Sequence, residues 1–231
     1  MFLGHFGAGF GAKTLQPRVS LGTFFLAAQL ADLLWPTLLL GIERVDIVPQ
    51  ATATNAFRFV YYPFTHSLVG ELVAGLVLGL LYWVVKRNAK GALLVGLLVP
   101  SHWLLDVVVH TPDLPLYPGP SPLFGFGLWN QVALTQVLEF ALLGAGLWLY
   151  GRETTARNGK GRYGLLGLVA FLVLIHVGSL LSPPPASVEA LGWSGQLFWV
   201  IVLLAYWVDR NREGRSLPGS ETLETAVPSL V

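Results

Sequence analysis

Residues 101–113 read SHWLLDVVVHTPD, and they decide the class of the fold. His102, Asp106 and His110 follow one another at steps of four, so they share one face of an α-helix. Apart from Asp106, every residue from Trp103 to Val109 is apolar. A helix that is apolar all round except for one His/Asp/His line belongs in a membrane or a deep core, with that line turned toward a partner.

Composition says which solvent surrounds the helix. Of 231 residues, 54% are hydrophobic and 12% charged, about half the charge of an ordinary soluble domain. There is no cysteine, which excludes a disulfide framework and a thiolate metal site and leaves His, Asp and Glu to hold any metal. A formal net charge of +1 gives no reason to expect nucleic acid as a partner. The expected partner is the lipid bilayer, and the expected fold is all-α, a polytopic membrane bundle.

Working outward, apolar runs predict six membrane segments, at about residues 21–40, 68–85, 92–109, 128–150, 163–181 and 193–208. The run that follows Ser20, a candidate N-cap, is too long for a signal-peptide core and reads as an uncleaved span. A short apolar helix precedes it, with Gly4, Gly7 and Gly11 at a spacing that lets a neighbouring backbone come close. Residues 41–65 read as a mixed loop, and residues 111–127 as a loop too rich in proline for a helix. The transmembrane domain is placed at 1–212 and a disordered polar tail at 213–231. Lysines and arginines fall in alternate connections (Lys13/Arg18, Lys86/Arg87/Lys90, Arg152–Arg162, Arg210–Arg215), which makes those connections and the C-terminus cytoplasmic.

Counting residues from the basic edges gives each ionisable group a depth. His5, Asp32, Glu71, His102, Asp106, Glu139 and His176 all stand 12–16 residues from an edge, or roughly 18–24 Å. His66 and His110 stand 20 residues out, at roughly 30 Å, near the outer boundary of the hydrocarbon. A charge at mid-membrane costs about 2.5–3.5 kcal/mol even on the lenient insertion scale, so a layer of several acids needs compensation. Acids and histidines around a divalent cation provide it, and a cysteine-free His/Asp set suits Zn²⁺, with Mn²⁺ or Fe²⁺ as alternatives. Thr65 reads as an N-cap that puts His66 in a first helical turn. Glu71 and Glu139 read as orienters of the ligands or, with Asp106, as acceptors of a proton from water; His110 and Asp113 are possible additional ligands. His176, with no acid in its own helix, reads as a packing residue, and Gln29 and Gln136 as interhelical hydrogen-bonding groups.

The motifs GHFGAGFGAK, QLADLLWP, PFTHSL and SHWLLDVVVHTPDLPLYP resemble the membrane-bound metal-dependent hydrolase family of the LexA-regulated inner-membrane type, over about residues 1–150. The resemblance implies metal residues at His5, Asp32, His66, His102 and Asp106, and a place in the bacterial inner membrane. Their order is distantly similar to the ligand order of zinc-dependent phospholipase C and related nucleases, which implies hydrolysis of a phosphoester, a lipid-borne one included. The chain departs from the family pattern at Leu34 and Trp35, where a second acid and a histidine could stand, and at Tyr61 and Tyr62, where other members carry His and Arg. The resulting expectation is a membrane-embedded metal-dependent hydrolase with its pocket toward the outer leaflet and residues 111–127 as a lid. The rival is a transporter or permease that passes a metal ion or protons through the same layer.

Overall fold

A computed structural model describes residues 1–215. In chain order the elements are α1 (Leu3–Leu15), α2 (Leu21–Ala28), α3 (Leu30–Leu38), β1 (Arg44–Ile47), β2 (Phe57–Tyr61), α4 (Pro63–His66), α5 (Leu68–Lys86), α6 (Ala89–Leu98) and α7 (Ser101–Val109). They continue with β3 (Leu114–Pro115), β4 (Leu123–Phe124), α8 (Val132–Glu153), β5 (Thr154–Ala156), α9 (Gly159–Leu181), α10 (Val188–Gly195), α11 (Phe198–Arg210) and β6 (Arg212–Gly214). The architecture is the all-α bundle expected. Among the described residues five helical stretches, counting α6–α7 and α10–α11 as one each, are long and apolar enough to cross a membrane; the bent pair α2–α3, taken as one span, makes a sixth. Leu72, Leu76 and Leu80 of α5 are exposed apolar groups, as a lipid-facing surface requires.

α1 is too short to span a bilayer and lies inside the bundle, where Leu3, His5, Phe6 and Phe10 are fully buried. Phe6 and Phe10 meet Phe25 of α2 edge-on, and Phe10 also meets Tyr150 of α8. The closest crossing pairs Gly7 with Gly146 of α8. A Cβ on Gly7 would come within 2.4 Å of the Leu142 carbonyl oxygen, and one on Gly146 within 2.0 Å of the Gly7 carbonyl oxygen. Gly11, expected to share that role, has ordinary room, its nearest neighbour being a Leu149 side-chain carbon at 3.6 Å.

Two spans are broken. α2 and α3 meet at Gln29 with a bend of 55°. α6 and α7 are separated at Val99–Pro100, where proline removes a backbone donor. Each break frees backbone groups in mid-span, and such groups are tolerated at membrane depth only where protein or a polar cavity satisfies them.

The loop read as irregular at 41–65 folds into the antiparallel ribbon β1–β2, and the proline-rich loop into the short ribbon β3–β4. The second is fastened at several points. Phe126 N donates to the Val107 carbonyl, Gly127 N to the His110 carbonyl and Trp103 Nε1 to the Pro115 carbonyl, so it is a strap tied to α7. At the basic end Arg212–Gly214 pairs with Thr154–Ala156, which takes residues 213 and 214 into a ribbon. The rest of the tail expected to be disordered, residues 216–231, lies outside the described residues. Two capping expectations are corrected. Ser20 makes no side-chain cap bond, and Leu21 N donates instead to Asp209 Oδ2 at 3.0 Å. Thr65 lies inside α4, while Ser67 caps α5 by accepting from Gly70 N.

Candidate metal centre

The two carboxylates at the centre come from the two broken spans. Asp32 sits in the first turn of α3, just past the Gln29 break, and Asp106 one turn after His102 on α7. Asp106 Oδ2 lies 3.3 Å from His102 Nε2 and 3.5 Å from His110 Nε2. Asp32 Oδ1 lies 3.4 Å from His66 Nε2 and 3.7 Å from His102 Nε2. From α1, His5 Nε2 reaches Asp106 Oδ1 at 3.0 Å, and the Met1 amine contacts the same oxygen. The His5 and His102 rings stack with centroids 3.7 Å apart. All five residues that the resemblance implied as ligands, together with His110, therefore meet in one cluster.

The other nitrogen of three of these rings is held by a defined acceptor. His102 Nδ1 lies 2.9 Å from the carbonyl of Ala28, freed by the break at Gln29; a carbonyl can only accept, so Nδ1 carries the hydrogen. His110 Nδ1 donates to Asp113 Oδ1 at 2.8 Å. His66 Nδ1 faces Thr65 Oγ1 at 2.7 Å; that hydroxyl gives its own hydrogen to Glu43 Oε2, so it accepts from the ring. With Nδ1 engaged in each case, Nε2 is the atom left for a metal ion, and all three Nε2 atoms point at the two carboxylates. Acceptors behind metal-binding histidines do this in general: they fix the tautomer and the ring orientation.

The separations fit a small cation. Ligand atoms at about 2.0–2.2 Å from a tetrahedral ion lie roughly 3.4 Å from one another. Of the five Nε2–carboxylate distances, the His5–Asp106 one is a hydrogen bond at 3.0 Å, while the other four, 3.3, 3.4, 3.5 and 3.7 Å, cluster about that value and all exceed a good hydrogen bond. His102 Nε2 and His5 Nδ1 are buried with no hydrogen-bond partner among the described residues. Two groups of ligand atoms satisfy the proximity a metal needs, His5/Asp32/His102 and His66/His102/Asp106, with His102 common to both. Only Asp32 reaches the surface, its side chain 21% exposed while those of the four histidines and Asp106 are at most 4%. Access is on that side.

The remaining sequence candidates take supporting places. Asp113 stands behind His110 and also accepts from Tyr62 Oη and Thr111 Oγ1. Glu139 accepts from Phe2 N and Gly4 N, capping the start of α1. Glu71 Oε2 accepts from Trp103 N at the start of α7, while its Oε1 is buried without a partner among the described residues. His176 bonds Gln136 across α8 and α9, a packing role away from the cluster. His66 and His110 do not stand a layer above the others as residue counting suggested. His110 leans back along α7 onto Asp106, and α4 turns His66 inward beside Asp32. Trp35 and His66 meet with their rings nearly perpendicular, centroids 6.1 Å apart, and Tyr62 Oη donates to Asp113 Oδ1.

None of the family models, curated proteins or solved structures compared with the chain matches it.

Three functional groups escaped the reading of the sequence: Glu43, the hydroxyl of Thr65 as a ring acceptor, and the Ala28 carbonyl. Glu43, a loop acid in the sequence, is 2% exposed in the fold and accepts from Phe64 N, Thr65 N and Thr65 Oγ1. Its partners are 21–22 residues away, so nothing local in the sequence links them. Thr65→Val removes the acceptor behind His66 without changing side-chain shape and is expected to weaken metal binding about 10–100-fold, while Thr65→Ser keeps it. Titration with Zn²⁺ against a competing chelator measures both; equal affinities in wild type and Thr65→Val would take His66 out of the ligand set.

Proposed function

We propose that the chain is a membrane-embedded metal-dependent hydrolase of the membrane-bound metal-dependent hydrolase family, acting on an ester or phosphoester, lipid-borne substrates included. The observation that carries this reading is the arrangement of His66, His102 and His110, each with Nδ1 engaged from behind and Nε2 aimed at Asp32 or Asp106. A His/Asp set without cysteine suits Zn²⁺ first, with Mn²⁺ or Fe²⁺ as alternatives. A divalent ion held there supplies Lewis acidity toward a substrate oxygen and a nucleophilic water at neutral pH. The chain's own residues do the rest. Asp32, the one exposed member, receives the substrate side; Asp106, ringed by imidazoles, accepts the proton; Trp35 and the strap of residues 111–127 restrict water. Glu71 and Glu139 act as positioning residues through the helix starts they hold. The basic connections and the C-terminus are assigned to the cytoplasmic side of a bacterial inner membrane, with the centre in the outer half of the bilayer.

The test is metal content by elemental mass spectrometry on detergent-purified protein, beside His102→Ala. One or more equivalents of a transition metal in the wild type and a background level in the variant is the expected result. A wild type that stays metal-free after incubation with Zn²⁺ and Mn²⁺ overturns it.

One observation favours a second reading, transport of a metal ion or protons. Both aspartates sit on broken spans, and transporters build ion sites at discontinuous helices. Uptake of Zn²⁺ or protons into proteoliposomes, lost in Asp32→Asn, would support transport over hydrolysis.

A further inference from the structure

A second feature lies at the opposite, basic end. A depression of about 750 Å³ opens between α2, α5, α6, α11 and the β5–β6 ribbon, and none of the metal-centre residues lines it. Its volume is that of a small-molecule site. Six cations stand in its lining against two acids, Asp209 and Glu213. Both acids are engaged: Asp209 takes Lys13 Nζ at 2.8 Å and Tyr150 Oη at 2.9 Å, and Glu213 takes Arg157 at 3.3 Å. Arg212 is also committed, to Thr154 and the Gly161 carbonyl. That leaves Arg18, Lys86 and Arg210, which have no acidic or hydrogen-bonding side-chain partner among the described residues.

These three cations come from three different elements: Arg18 from the turn before α2, Lys86 from the last residue of α5 and Arg210 from the last residue of α11. Each marks the end or start of a membrane-crossing segment, so the trio stands at the headgroup level. Below it the wall is apolar, formed by Leu26, Leu78, Leu81, Val85 and Val95. Leu81 and Val85 are 57% and 73% exposed, so the wall runs without interruption onto the lipid-facing side of α5. A soluble phosphate would use the cations and ignore the wall. A membrane lipid uses both.

We infer that this depression binds one anionic phospholipid, its phosphate between Arg18, Lys86 and Arg210 and its acyl chains along Leu78, Leu81 and Val85. Basic pockets between membrane helices are an established way of holding anionic headgroups. The inference stands apart from the metal centre, and either can fail without the other.

Native mass spectrometry of the full chain in detergent, with dioleoylphosphatidylglycerol and dioleoylphosphatidylcholine in separate titrations, tests it. The phosphatidylglycerol adduct is expected to persist at about ten-fold lower lipid concentration than the phosphatidylcholine adduct, and excess glycerol 3-phosphate should leave it in place. Combining Arg18→Gln, Lys86→Gln and Arg210→Gln should weaken it about a hundred-fold, at about five-fold per cation. Combining Lys90→Gln, Arg152→Gln and Arg162→Gln, basic residues outside the depression, should leave it within about two-fold. Equal retention of the two lipids, displacement by glycerol 3-phosphate, or equal loss in the two combined variants overturns the inference. The lipid comparison and the phosphate competition need only wild-type protein, so they decide the matter even where a triple variant fails to accumulate.

Discussion

Asp106→Ala is expected to empty the centre of metal and to destabilise the fold at the same time. Its two oxygens face His5, His102, His110 and the Met1 amine, so removing the carboxylate strands several polar groups in a buried site. Breaking a buried ion pair from one side costs about 3–5 kcal/mol, and losing a ligand costs more than the ~10–100-fold affinity drop typical of losing a group behind one. Asp106→Asn separates the two effects: the amide keeps the volume and one acceptor, so folding should survive while Zn²⁺ affinity falls by well over about a hundred-fold. Thermal unfolding followed by tryptophan fluorescence, with and without added Zn²⁺, reports both quantities. Zn²⁺ should raise the transition of wild type and leave that of Asp106→Asn unmoved. A variant that still binds stoichiometric metal would remove Asp106 from the ligand set.

The second large effect is expected far from any ligand. Gly146→Val places a branched side chain where even a Cβ would stand 2.0 Å from the Gly7 carbonyl oxygen, and the atom in the way is backbone, which cannot rotate aside. Overpacking of this kind costs ~3 kcal/mol or more when neither helix can yield. Moving α1 away from α8 also pulls the Phe2 and Gly4 amides from Glu139 and carries His5 off Asp106. The expected result is a lowered unfolding temperature together with loss of metal, although no ligand has been touched. Gly11→Ala on the same helix, with its nearest neighbour at 3.6 Å, should stay within about 0.5 kcal/mol of wild type. Equal stability of Gly146→Val and Gly11→Ala would mean that α1 and α8 do not cross as described.

Which parts of this were legible in the sequence follows from which interactions are periodic. The four-residue steps of His102, Asp106 and His110 survive folding because a helix carries them, and the six apolar runs survive because bilayer thickness imposes them. His5 and Asp32 lie at nearly equal distances from Arg18, 13 and 14 residues, so they share a depth only if α1 doubles back, and α1 does pack against α2. What residue counting could not see is where a helix stops being straight. Pro100 is a breaking signal within a span whose residue count assumes one straight rod, and Gln29 carries no breaking signal at all. The hydrogen-bond acceptors behind the histidines were hidden for a related reason. The Ala28 carbonyl exists as an acceptor only because of the bend, and Glu43 meets Thr65 only because the β1–β2 ribbon returns the chain. The depth of Glu71 and Glu139 came out level with the ligands because both acids hold the starts of helices that bear ligands, α7 and α1.

The burial of α1 has a bearing on how the molecule is assembled. Its main packing surface is α8, whose Leu142 and Gly146 are separated from Gly7 by more than half of the chain. α1 is synthesised well before the helix it packs on, and it carries His5 and three of the large buried aromatics and aliphatics, Leu3, Phe6 and Phe10. Contacts so distant in sequence close slowly, because the intervening loop must be ordered before they form. A chain halted before Val132 would contain every candidate ligand residue, yet His5 would stand on a helix still without its main packing partner. The placement of His5 against Asp106 is thus coupled to the arrival of a helix that contributes no candidate ligand of its own.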